Sequence, residues 1–183
     1  MNQQMARDML AEIEQTQQRS AQYLGYWRQG PTVQLWGLVW IIAHIAGYFL
    51  PASAGPIWLV CDAIGFAGTA LLRLRHSADD SSQRQTDRRL MWAGCILLAF
   101  GAIASMLIGP RGRAIEVFWT CLFMSAYMLH GLWFGLRWTV LGALVIAVSL
   151  LAYFSHSSWY ELIMAAAAGG GLLLGGTWMR HAR

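Results

Sequence analysis

From residue 32 onward the chain alternates long apolar runs with short polar breaks, and six such runs can be drawn, at about 32 to 50, 57 to 74, 90 to 108, 114 to 136, 138 to 154 and 158 to 179. Most approach the roughly 20 residues that a helix needs to cross a bilayer. Lipid offers no water to satisfy backbone groups, so a helix is the form such a run must take. The pattern therefore predicts an all-α polytopic membrane bundle of six transmembrane helices. The fifth run is the shortest, and only Arg137 divides it from the fourth.

A different helix is predicted ahead of these runs. Between residues 3 and 25, Met5, Met9, Ile13, Thr16 and Ser20 recur at three- and four-residue spacing on an otherwise polar segment. Interfacial helices usually carry Lys/Arg-rich polar faces, whereas this one sets Asp8, Glu12 and Glu14 against Arg7 and Arg19. Docking on protein suits it better than lying in lipid, and a plain solvated helix is the alternative. Gly30 and Pro31 are expected to end it. The chain then divides into a cytoplasmic amphipathic helix and linker, 1 to 30, and a transmembrane domain, 31 to 183. Pro31, Pro51, Pro56 and Pro110 all fall at expected span boundaries, so no helix should carry a proline break, unlike transporters built on discontinuous helices.

A weak threefold pattern runs through the spans. The segments LWGLVWIIAHIAG, LMWAGCILLAFGAIAS and LRWTVLGALVIAVSLLAYF each open with Trp and are each followed by a short turn and a returning helix. Three tandem hairpins side by side would produce it.

Composition agrees with the membrane class: 57% hydrophobic and 12% charged, with a mean hydropathy of +0.43. All thirteen basic residues are Arg. With six spans, the side holding both termini, the 75 to 89 loop and Arg137 carries eleven of them, and the opposite side only Arg111 and Arg113. The positive-inside rule makes the rich side cytoplasmic, so both termini are expected in the cytoplasm. Trp36, Trp92, Trp138 and Trp178 would form one interfacial belt and Trp58, Trp119 and Trp159 the other. No basic run is interleaved with exposed aromatics on a soluble segment, which argues against nucleic-acid binding. The first thirty residues lack an apolar core, so no cleavable signal peptide is expected. Cys61, Cys95 and Cys121 lie in apolar runs without C-x-x-C spacing and suit neither a disulfide framework nor structural zinc.

Ionisable groups inside the spans are the candidates for function, since such groups are costly in lipid and usually face a bundle interior or a wet cavity. His44 stands seven residues before Pro51 and Asp62 six after Pro56. The two are expected at one depth, about 10 Å below a shared turn and hydrogen-bonded across an antiparallel hairpin. The bland reading is that such a pair merely glues helices together. In the fourth span Glu116, Thr120, Phe123, Tyr127, His130, Phe134 and Arg137 follow alternating spacings of four and three. That stripe faces the bundle core or lines a cavity, and Glu116 has Arg113 as a local alternative partner. Glu161, near the outer end of the last span, has no basic residue close in sequence. Metal ligation finds no H-x-x-H or H-E-x-x-H spacing, and His44 and His130 differ too much in depth for one haem. No metal and no cofactor is therefore expected. In the last span Gly171 and Gly175, with Ala167, form a small-residue stripe suited to a central helix or to a contact between copies of the chain.

The segments EIEQTQQRS, LWGLVWIIAHIAGYFLP and GGGLLLGGTWMRHAR together resemble a group of small bacterial six-span proteins without an assigned activity. The resemblance implies the six-span layout and, as a genetic context, proximity to winged-helix regulators; it transfers no catalytic residue. Short-repeat six-span stress proteins share the three-hairpin layout only. The function expected from the residues is a non-enzymatic sensor or regulatory scaffold in the bilayer. Its cytoplasmic protein partner would bind through the N-terminal helix and the 75 to 89 loop. A small-solute or proton-coupled ion transporter using His44, Asp62, Tyr127 and His130 is the alternative.

Overall fold

The computed structural model describes residues 3–76, 81–109 and 112–181, and every element among them is helical. Helix α1 (Gln3–Phe49) is followed by a single 3₁₀ turn (Pro51–Ser53) and helix α2 (Ala54–His76). Helices α3 (Ser81–Ile108), α4 (Arg113–Phe134) and α5 (Leu136–Phe154) come next. The last span consists of α6 (Tyr160–Met164), a π-helical turn (Ala165–Gly169) and α7 (Gly170–Arg180). Among the described residues five helices are long and apolar enough to cross a membrane, and Met91–Leu107 within α3 is a shorter apolar stretch. This is the make-up of a multi-pass membrane protein in contact with lipid, and α2, with 11% of its apolar window buried, turns most of its surface outward.

The stop expected at Gly30 and Pro31 does not occur. α1 passes through Pro31 as one helix of 47 residues, about 70 Å long at 1.5 Å per residue. Proline inside a helix removes a backbone donor and crowds the preceding turn. Here Tyr26, Gly30 and Val33 around it are buried, and packing against the last span holds the helix through the defect. Pro56 likewise fails to mark a loop: it lies in the first turn of α2, where a missing N–H has no helical partner to lose.

α1 is held between α2 and the last span, α4 pairs closely with α5, and α5 joins the last span. Among the described residues α3 touches α4 alone. Three equal tandem hairpins are not the organising unit, because the last span lies closer against α1 than against α5. Two of the expected interfacial tryptophans turn inward: Trp138 is buried, and Trp36 donates from Nε1 to Thr69 Oγ1 at 3.1 Å across the α1/α2 contact.

The α1/last-span contact is made by backbone meeting backbone. A Cβ on Gly37 would stand 2.9 Å from the Gly169 carbonyl oxygen, and one on Gly169 3.0 Å from that of Gly37. Gly30 and Gly176 repeat this two turns lower, at 2.9 and 2.8 Å. The stripe expected to pack, Gly171 and Gly175, is placed differently. Gly171 faces open space and Gly175 lies under Leu141 of α5.

A side chain added at the crossing should force the helices apart, at about 1–3 kcal/mol for overpacking. Gly37→Val is expected to lower the thermal unfolding midpoint of the purified protein clearly, and Gly171→Val to leave it nearly unchanged. Equal effects of the two would remove the glycine contact from its central place.

Candidate functional site

His44, on the face of α1 that carries Gly30 and Gly37 two and one heptads earlier, is 1% exposed. Its Nδ1 lies 2.7 Å from Oε2 of Glu161, whose side chain is 16% exposed. The π turn sets this register. On α1 the contact residues 30, 37 and 44 are seven apart, while on the last span 176 and 169 are seven apart and 169 and 161 are eight apart. A π turn holds one residue more than an α turn. That extra residue lies between Gly169 and Glu161 and brings the carboxylate, instead of Leu162, opposite the imidazole.

Three more elements close around the pair. From α4, Glu116 sets its carboxyl against that of Glu161, with Oε2 buried and, among the described residues, without a hydrogen-bond partner. Arg113, at the start of α4, donates from Nη1 to the Ser157 carbonyl at 2.9 Å. It also lies 5.2 Å from the ring centre of Tyr160, and its charge reaches both carboxyls. Tyr160 is fully buried, its hydroxyl 3.3 Å from Ser149 Oγ on α5. From α2, Trp58 stands edge to face with His44 at 4.9 Å between ring centres, and Trp40 of α1 does so at 6.1 Å. Two carboxyls in contact attract only if one carries a proton, because like charges at that distance disfavour joint ionisation. The cluster thus gathers an imidazole, two carboxyls and a guanidinium from α1, α6 and α4.

The expected His44–Asp62 hydrogen bond is not made. α1 and α2 fold back around residue 51, so His44 meets Trp58, and Trp36 meets Gly65 and Thr69. Asp62 therefore falls one turn deeper, at the level of Trp40. The expected depth counted from Pro56 as a loop residue, whereas α2 already begins at Ala54.

Tyr127 and His130 belong to the opposite end of α4. The His130 ring stacks on Phe134 at 4.1 Å and meets Trp138 at 4.7 Å, its Nε2 buried without a hydrogen-bond partner among the described residues. Tyr127 packs on Trp138 at 5.0 Å. Between the two ends Trp40, Met124, Val145 and Leu172 are buried as an apolar layer. Among the described residues no group of three or more His, Cys, Asp or Glu side chains is placed to hold a metal ion. Sequence reasoning missed Tyr160 and Ser149, neutral residues in a run where only their spacing from Glu161 and across the α5 turn could have flagged them.

A double-mutant cycle should separate the partners. Coupling between His44→Leu and Glu161→Leu is expected at roughly 1–2 kcal/mol, the scale of polar contacts between membrane helices, and coupling between His44→Leu and Asp62→Leu near zero. The π turn gives an independent check. Deleting Ala166 leaves Glu161 seven residues before Gly169, so an ordinary α turn there should keep Glu161 opposite His44 and preserve the coupling between residues 44 and 161 while the membrane domain still folds. No family model, no curated protein and no solved structure matches the chain, so the resemblance to small bacterial six-span proteins rests on the quoted segments alone.

Proposed function

We propose that the chain is a non-enzymatic, multi-pass protein of the bacterial inner membrane that senses protonation at the His44–Glu161–Glu116 cluster and relays it to a cytoplasmic protein. The observation that carries this reading is the buried contact between His44 and Glu161, set on a helix that continues without interruption from that site to Gln3. A shift of α1 against the last span at the outer end is then felt by its N-terminal half, the proposed docking element together with residues 75 to 89, of which 81 to 89 already belong to α3.

Connectivity favours six crossings. α2 runs away from the end that holds His44 and Trp58, while α4 starts at that end, where Arg113 reaches Ser157. α3 then has to carry the chain back across, through Met91–Leu107. An even number of crossings puts both termini on one side, and the eleven-to-two division of arginines makes that side cytoplasmic. The transporter reading needs a continuous polar path. The layer of Trp40, Met124, Val145 and Leu172 beneath the cluster counts against it.

Trp58, 4.9 Å from His44, is a built-in reporter, because a protonated imidazole quenches a neighbouring indole more than a neutral one. In liposomes, the emission difference between wild type and Trp58→Phe is expected to fall as the pH drops from about 8 to about 5, the interval in which histidine ordinarily titrates. His44→Leu should flatten that curve and Glu161→Gln should displace it, with no accompanying proton flux. A flat wild-type curve would sink the sensing role, and saturable proton flux would replace it with transport.

A further inference from the structure

Asp62 lies outside the cluster. Among the described residues it makes no hydrogen bond or ion pair with any side chain. The next basic residue on its helix, Arg73, is eleven positions away, about 16 Å along the axis. A carboxylate inside a membrane span is costly and ordinarily has a partner of opposite charge.

Its surroundings are aromatic. Trp58 and Phe66 stand one turn to either side of Asp62 on α2. Trp58 meets Trp40 of α1 at 6.1 Å, and Phe66 meets Trp36 at 5.1 Å. Asp62 is only half-buried between these two aromatic contacts. Access is lateral: among the described residues α2 touches α1 and the turn before it but neither α3, α4 nor α5, so its flank is open to the bilayer. An anionic group with indole and phenyl rings above and below it, reached from lipid, has the recognition chemistry for a cation carrying an apolar body. The carboxylate supplies the opposite charge and the ring faces supply cation–π attraction.

We propose that Asp62, framed by Trp58, Phe66 and Trp36, binds a lipophilic organic cation of the quaternary ammonium or phosphonium kind that enters from the membrane along the open flank of α2. This site does not depend on the proton-sensing reading, because none of the groups that hold the proton in the outer cluster belongs to it.

The test uses the full chain in phosphatidylcholine nanodiscs with tetraphenylphosphonium as the probe and empty nanodiscs as the background. Saturable binding above background is expected, weakened at least tenfold by Asp62→Asn, which keeps shape and removes charge, and several-fold by Phe66→Leu. Tetraphenylborate, of the same shape and opposite charge, should not compete. The thermal unfolding midpoint of Asp62→Asn, expected to match or exceed that of wild type, separates lost binding from lost fold. Binding no greater than to empty nanodiscs, equal affinity of wild type and Asp62→Asn, or competition by tetraphenylborate would each overturn the proposal.

Discussion

The close approach of α1 and the last span is the constraint on which the remaining structure depends. Lipid tails are as apolar as the side chains they would replace, so two membrane helices gain little by burying hydrophobic surface. Their association rests on van der Waals contact and interhelical polar bonds. Gly30 and Gly37 facing Gly176 and Gly169 let the two backbones meet with carbonyl oxygens where side chains would be. This one contact joins the first span of the chain to its last. It fixes the level at which His44 meets Glu161, and it supports α1 across the defect at Pro31.

Polar groups then gather where that pair of helices leaves room for them. Away from water a charge interacts more strongly with its neighbours, so His44, Glu161, Glu116 and Arg113 act as one unit although they come from three separate stretches of chain. The aromatic rings of Trp40 and Trp58 limit the unit on the membrane side, and Arg113 with Tyr160 marks its outer edge. The end that holds the cluster is polar and the layer beneath it, with Trp40, Met124, Val145 and Leu172, is apolar.

The π turn gives the last span two roles in a short length. Below it, Gly169 and Gly176 keep a seven-residue register with α1; above it, the added residue rotates Tyr160 and Glu161 toward α1, α4 and α5. A regular helix through Ala165–Gly169 would serve the glycine contact equally well and present an apolar side chain to His44. The irregular turn is thus what joins the structural half of the span to its chemical half.

How much of this could be read from the chain differs by level. Apolar run length made the helical, membrane-spanning class legible, because the cost of exposing backbone to lipid acts on each segment separately. His44, Glu116 and Glu161 were also legible as candidates, since a titratable group in an apolar run stands out by itself. Their partners were not. Counting from Pro56 set Asp62 beside His44, while the chain already turns back at residue 51, which puts Asp62 eleven residues past the turn against seven for His44, a full turn deeper. The run of alanines and glycines in the last span carries no phase, so the sequence was silent on the π turn and pointed to Gly171 where Gly169 and Gly176 make the contact. Pairing between helices far apart in sequence depends on interhelical register and on one inserted residue, and those are set only when the backbones close on one another.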